Sequence, residues 1–378
     1  MSAHPSSAAA PPRAVSERSR APAVGMRVIN VGLFPPPYGG VSIHLQRLLQ
    51  RLQTAGVDCL LIDLSGSPKR QPGVVTWTWT TAVLRLLLTR RSIVHFHNFS
   101  PRNTILFWLL SLRHRTILSW HNERFLDELN EAFPLGRRVA KALLRRVGCI
   151  VVDSQKSLEL ARQIVSDSSR ITLIPEFLEP ASVPPLTNRN VLELRSSHRF
   201  LLSSNAFRIA FHRGQDLYGL DLLVELMRRL VHERQLDAAL AFLLPGESES
   251  EYFAEIRREV DRHDLTSRVL FVTRPLEEAA SLWRISDVVV RATNTDGNSL
   301  SVMEALSMGV PVVASDCVDR PDGAVTFRTR DIDDLEAKVA DVLTRSDEYR
   351  RRVASLPPLD NGARFLELYE GMGMRGSL

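Results

Sequence analysis

Cysteine is scarce. Cys59, Cys149 and Cys317 stand far apart in 378 residues, with no Cys-x-x-Cys pair and no Cys/His cluster. That excludes a disulfide framework and a zinc site of ordinary ligand spacing, and it fits a reducing cytoplasm. Lysine is scarcer still relative to its charge partner: four of the 48 basic residues are Lys and the rest are Arg. No apolar run reaches the roughly 20 residues that cross a bilayer. The nearest, "TILFWLLSL" at Thr104–Leu112, predicts a buried helix. No Gly-x-Gly-x-x-Gly follows a strand and opens a helix, and the Walker A pattern is missing, so neither a dinucleotide fingerprint nor a P-loop is supported. Zinc-finger, RRM and aromatic–basic stacking patterns are missing as well, which argues against a nucleic-acid partner.

What is present is ordinary for a globular protein, with 44% hydrophobic and 24% charged residues. The length predicts two domains, each able to bury a core. Residues 1–25 are rich in Ala, Pro and Ser, lack the apolar core of a signal peptide, and predict a disordered tail. Charge is uneven. Residues 1–180 hold 23 Lys+Arg against 12 Asp+Glu, a net of +11, and the remainder holds 25 against 31, a net of −6. The first half is therefore expected to face something anionic, and a membrane surface suits it better than nucleic acid.

Apolar strand-like runs alternate with helical periodicity along the whole chain. "RVINVGLF" leads through "PPPYGG" into a helix with Val41, Leu45, Leu48, Leu49 and Leu52 on one face, ended by Gly56. "VDCLLIDL", "SIVHFHNF", "RTILSWHNE", "GCIVVDS" and "RITLIPEF" continue the series. The stretch 179–198, with three prolines, reads as a linker. The alternation then restarts at "RFLLSSNAF" and runs to "DIDDLEAKVADVLTRS". Strands alternating with helices imply parallel α/β sheets. The expected layout is a tail at 1–25, a first Rossmann-like domain at 26–185 and a second at 198–357. A segment at 358–378 returns toward the first domain.

Three stretches carry chemistry. Gly39–Gly40 sit between a strand and a helix, where backbone N–H groups can approach a phosphate; a tight turn is the equal alternative. "VHFHNF" and "SWHNE" end strands in polar residues. His95 and His97 alternate with apolar neighbours and suit one buried sheet face, whereas His121 lies just past its strand and is the better functional candidate. The third stretch is "DVVVRATNTDGNSLSVMEALSMGVPVVAS". Asn298 or Ser299 can cap a helix whose unpaired N–H groups at Leu300 and Ser301 suit a diphosphate. Asp296 precedes that helix and Glu304 lies inside it, so two carboxylates flank the same turn.

"DGNSLSVMEALSMGVPVVAS" resembles the E-x7-E signature of retaining GT-B glycosyltransferases, in particular glycosyltransferase family 4. "PPYGGVSIH", "SWHNE" and "LYGLDLLVEL" are similar to that family's glycine loop, strand-end histidine and second-domain helix. The likeness runs from about Met26 to Leu343. It implies a GT-B fold, two Rossmann-like domains facing across a cleft, and sugar transfer from a nucleotide-sugar with retained configuration and no metal or other cofactor. Gly39 and Gly40 would approach the donor phosphates, and His121 the donor sugar. Asp296 would bind sugar hydroxyls, Glu304 the ribose, and the backbone at Ser299, Leu300 and Ser301 the diphosphate.

The sequence departs from the family at two points. The first acid is Asp296 rather than Glu, and Tyr218 stands where a diphosphate-clamping Lys is expected. Arg208 is the favoured remaining clamp, with Arg213, Arg274 and Arg291 as substitutes or plain surface charge. The implied acceptor is a saccharide or a polyprenyl-linked saccharide of cell-surface polysaccharide or glycolipid synthesis. The protein is then cytoplasmic and peripheral at the inner face of the membrane. Arg137, Lys141 and Arg145, four apart, form a helical face that either rests on anionic lipid or is merely solvated. A GT-B nucleotide-sugar epimerase, an inverting transferase and a catalytically impaired GT-B partner protein are the competing readings.

Overall fold

The computed structural model describes residues 25–374, except 37, 98–103, 121–143, 145–146, 166, 247–249, 275, 277–278 and 298. The first domain is built on seven parallel strands. They are β1 (Val28–Gly32), β2 (Cys59–Asp63), β3 (Val74–Thr76), β4 (Ile93–Phe96), β5 (Arg115–Trp120), β6 (Cys149–Val152) and β7 (Ile171–Leu173), in the order β3-β2-β1-β4-β5-β6-β7. Its helices are α1 (Gly40–Thr54), α2 (Trp79–Leu88), α3 (Thr104–Ser111) and α4 (Gln155–Ile164). Every residue of β1, β4 and β6 is buried. Strands covered on both faces need continuous apolar runs rather than alternation, which is why the sequence reads as it does.

The second domain repeats the plan. After α5 (Arg189–Ser197) come β8 (Phe200–Asn205), a short antiparallel hairpin of β9 (Phe211–His212) and β10 (Gln215–Asp216), and α6 (Leu220–Arg228). Then follow β11 (Ala238–Leu243), α7 (Glu251–Arg262), β12 (Val269–Val272), α8 (Ala280–Ile285), β13 (Val288–Arg291), α9 (Leu300–Ser307), β14 (Val312–Ser315) and β15 (Val325–Phe327). The six-stranded parallel sheet has the order β12-β11-β8-β13-β14-β15. The helices α10 (Ile332–Thr344), α11 (Ser346–Ala354) and α12 (Gly362–Met374) close the chain.

One difference from the sequence reading has a physical cause. The stretch 179–198 is not all linker: Asn188 caps α5 by accepting from Val191 N, and Val191 is that helix's one fully buried side chain. A helix so polar gives almost no periodic signal. α12 leaves the second domain and buries Phe365, Tyr369 and Met372 among Val28, Leu48, Ile93 and Ile117 of the first. The two chain crossings lie side by side. Asn361 N donates to Phe177 O at 3.2 Å, and Glu179 N donates to Asp360 Oδ1 at 3.1 Å.

His95 and His97 are built into this core. His95 bonds Ser119 Oγ at 2.8 Å and Tyr369 OH of α12 at 2.7 Å, and His97 bonds Asn30 Oδ1 at 2.9 Å. Of the two alternatives left by the strand pattern, the buried sheet face is the one the fold adopts. No described helix is long and apolar enough to cross a membrane.

Candidate active site

The glycine loop is held from below. Phe34 N donates to Asp63 Oδ1 at 2.9 Å, tying the exit of β1 to the end of β2. Gly39 precedes α1 in extended backbone, its N–H donating to Ser42 Oγ at 2.9 Å while that hydroxyl donates back to Gly39 O. A Cβ built on Gly39 or Gly40 meets nothing within 4 Å, and neither has a positive φ. Neither packing nor backbone strain therefore requires glycine here, and the open space lies in front of the loop.

Gly40 lines a cavity of about 30 Å³ shared with His44 and Arg47 of α1, with Glu176, Phe177 and Leu178 of the first crossing, and with Leu300 and Met303 of α9. That is room for about two water molecules. Ser299 is the N-cap residue of α9 but makes no side-chain cap bond to it; the buried Ser299 and Ser301 hydroxyls lie 3.2 Å apart. The first N–H groups of α9 carry the positive end of the helix dipole.

Glu304 is 3% exposed. Arg47 Nη2 donates to its Oε1 at 2.5 Å from the other domain, and Trp283 Nε1 donates to Oε2 at 2.8 Å. Arg47 also donates to Leu178 O at 3.0 Å, and His44 Nδ1 bonds Glu176 O at 2.6 Å. One face of α1 thus grips both the crossing segment and the helix of the second domain.

Asp296 is differently placed. Oδ1 accepts from Arg291 Nη2 at 2.9 Å and from Gly297 N at 3.0 Å. Oδ2 accepts from Arg291 Nε at 2.9 Å, Arg320 Nη1 at 3.0 Å and Thr293 Oγ1 at 3.1 Å. Five donors meet two oxygens that offer about four lone-pair sites. Burial works against the charge, but Arg291 and Arg320 outweigh it and hold the carboxyl below the usual range. All five donors come from within the second domain.

The arginines sort in the same way. Arg291 is not surface charge: besides Asp296 it donates to Asn205 O at 3.1 Å and lies 5.3 Å over the Tyr218 ring. The ring at the expected Lys position is therefore covered by an arginine already committed. Arg208 and Arg274 are exposed, and neither lines the cavity. Gly219, with φ 70°, fastens this loop to the next: a Cβ there would sit 2.5 Å from Ala292 O. His121, Asn298, and the Arg137, Lys141 and Arg145 face lie outside the described residues.

The structure brings Gly40 and Leu300 to one cavity, with Glu304 joined to it through Arg47. Arg208 and Asp296 do not line that cavity. Sequence reasoning missed Arg47, His44, Trp283 and Arg320. For Arg47 a signal existed: it sits between Leu45 and Leu48 on the buried side of an amphipathic helix, where a charge needs a partner.

Residues 6–176 match the family model described as glycosyl transferase 4-like domain, and residues 209–345 that of glycosyl transferases group 1. The chain is a glycosyltransferase of the GT-B type. A comparison with curated proteins found no match. Among solved structures, this glycosyltransferase is similar to Anabaena HepE in complex with UDP-glucose, with 13% identity, TM-score 0.61, and 93% of this chain and 98% of that one covered. A glycosyltransferase from Rickettsia africae gives 14%, 0.64, 93% and 100%. WaaG, a glycosyltransferase involved in lipopolysaccharide biosynthesis, gives 12%, 0.62, 91% and 100%. At these identities the likeness is one of fold.

Proposed function

We propose that this glycosyltransferase transfers a sugar from a nucleotide-sugar donor, with retained anomeric configuration and without a metal, to a saccharide or lipid-linked saccharide. The product belongs to cell-surface polysaccharide or glycolipid synthesis, and the enzyme works in the cytoplasm at the inner face of the membrane. The observation that carries the reading is the meeting of Gly40 and Leu300 on one cavity between the domains. A loop that needs glycine for neither packing nor strain faces the amino end of a helix, and that pair suits a diphosphate.

In this reading the diphosphate rests on the N–H groups at Ser299, Leu300 and Ser301, opposite Gly39 and Gly40. Glu304 accepts the ribose hydroxyls. His121 lies beside the donor sugar. Asp296 positions the loop that starts α9 rather than touching the sugar. The bond between the anomeric carbon and the diphosphate oxygen breaks while the acceptor oxygen bonds that carbon on the same face. The acceptor proton passes to the departing phosphate oxygen. Arg47, from the first domain, supplies positive charge that neither Tyr218 nor the exposed Arg208 brings to the cavity. A donor enters as the domains part, since the cavity described is too small for it.

A panel of UDP-, GDP- and ADP-sugars, read by donor hydrolysis and by calorimetry with purified protein, tests this. Binding of one nucleotide class together with EDTA-insensitive turnover is expected. The absence of binding across the panel would favour a GT-B partner protein that has lost turnover. An inverted product would indicate the inverting transferase.

A further inference from the structure

From residue 64 to residue 122 the chain holds no Asp or Glu and eight Lys or Arg. This stretch includes α2 and α3, and the side chains exposed on α2 and just after α3 are unusual. Leu84, Leu88 and Leu112 are 64%, 84% and 59% exposed. Leu84 and Leu88 stand one turn apart on α2 and so share a face. Leu112 follows α3 directly. Arg113 Nε donates to Thr89 O at 2.9 Å, and His114 Nε2 donates to Leu86 O at 2.8 Å while its Nδ1 accepts from Ser92 N at 3.2 Å. These bonds lock the end of α2 against the end of α3 and bring Leu112 to the end of α2 that carries Leu88. Arg90, Arg91 and Arg113 are exposed beside them.

We propose that this α2–α3 edge is a docking surface for an anionic lipid bilayer. Single exposed leucines are ordinary, but three together inside an acid-free, arginine-rich border are not. Each part of the border selects the partner. The leucines want an apolar phase, and arginines that form no ion pair among the described residues want anions. Long arginine side chains can lay their stems on apolar surface and keep their charge at headgroup level. Arg85, whose guanidinium lies 5.0 Å over the Trp77 ring, shows that stacking on this same helix. A second copy of the chain fits less well, because a self-interface here would set arginine against arginine with no acid to pair.

The surface is separate from the cleft. Leu88 and Leu112 precede β4 and β5 and so lie at the amino ends of those strands, whereas the cavity beside Gly40 lies beyond the carboxyl end of β1. Docking therefore leaves the cleft open, and lipid binding and donor binding are independent.

The test is flotation of the full-length protein with vesicles of phosphatidylcholine alone or containing about one third phosphatidylglycerol. Wild type is expected on the anionic vesicles only, less so as salt rises. L84Q/L88Q/L112Q and R90E/R91E should each bind at least about tenfold more weakly. Both variants should keep the wild-type melting temperature and donor hydrolysis, because the changed side chains face solvent. Equal flotation of wild type and both variants overturns the assignment. So does a dimer, seen by light scattering, that L84Q/L88Q/L112Q dissolves. The vesicle assay needs no donor, so its failure leaves the reading of the cleft standing, and the reverse holds too.

Discussion

Arg47 Nη2 lies 2.5 Å from Glu304 Oε1, joining side chains 257 residues apart and on different domains, each about 5% exposed or less. Breaking one side of such a pair leaves a buried charge without compensation, at a cost of about 3–5 kcal/mol. Arg47→Met and Glu304→Leu are each expected to lose stability of that order in urea denaturation. The double variant should lose at least about 1 kcal/mol less than the sum of the two. Additive losses would mean that the contact carries no coupling between the domains.

Two glycines make opposite predictions. Gly219→Ala drives a Cβ to 2.5 Å from Ala292 O at φ 70°, so it should cost more than about 1 kcal/mol. Gly40→Ala adds a methyl group to open space at a helix start, where alanine is the better helix former. Its melting temperature should hold or rise slightly while transfer falls, because the methyl enters the cavity. A Gly40→Ala enzyme with full turnover would remove the glycine loop from the site.

Both α/β sheets were legible because parallel strands, buried on both faces, leave unmistakable apolar runs such as Val28–Gly32 and Val288–Arg291. The corner around Leu300 was legible because Ser299, Gly309 and Pro311 punctuate it. The ligation state of its acids was not. What fills Asp296 comes from Arg320, and what holds Glu304 comes from Arg47, pairings set by tertiary contact alone. The role of His95 depended likewise on Tyr369, 274 residues downstream, and that of His97 on Asn30, 67 residues upstream. α5 escaped notice because a helix burying only Val191 has no stripe to detect.

Glu304→Gln and His121→Ala separate binding from chemistry. The amide keeps the shape of Glu304 but weakens acceptance of ribose hydroxyls, so the donor KM should rise at least about tenfold with kcat less affected. His121→Ala should lower kcat, with nucleotide affinity nearly intact. Both proteins should give wild-type circular dichroism. Steady-state kinetics with near-normal values for both variants would contradict the assignment.

Asp296 predicts a pH signature. Its folded carboxyl is held below the ordinary value, since Arg291 and Arg320 outweigh the burial that opposes its charge. A depressed folded pKa gives stability that is fully present above the unfolded value of about 3.9 and lost as pH falls through the folded one. Asp296→Asn removes that contribution at every pH and leaves two buried arginines facing a neutral amide. The stability gap between wild type and the variant, from urea denaturation, should therefore stay constant from neutral pH to about 4.5 and narrow only in more acid solution. A gap that already closes near pH 6 would show that the carboxylate is not held by the two arginines, and that its oxygens are available to a sugar after all.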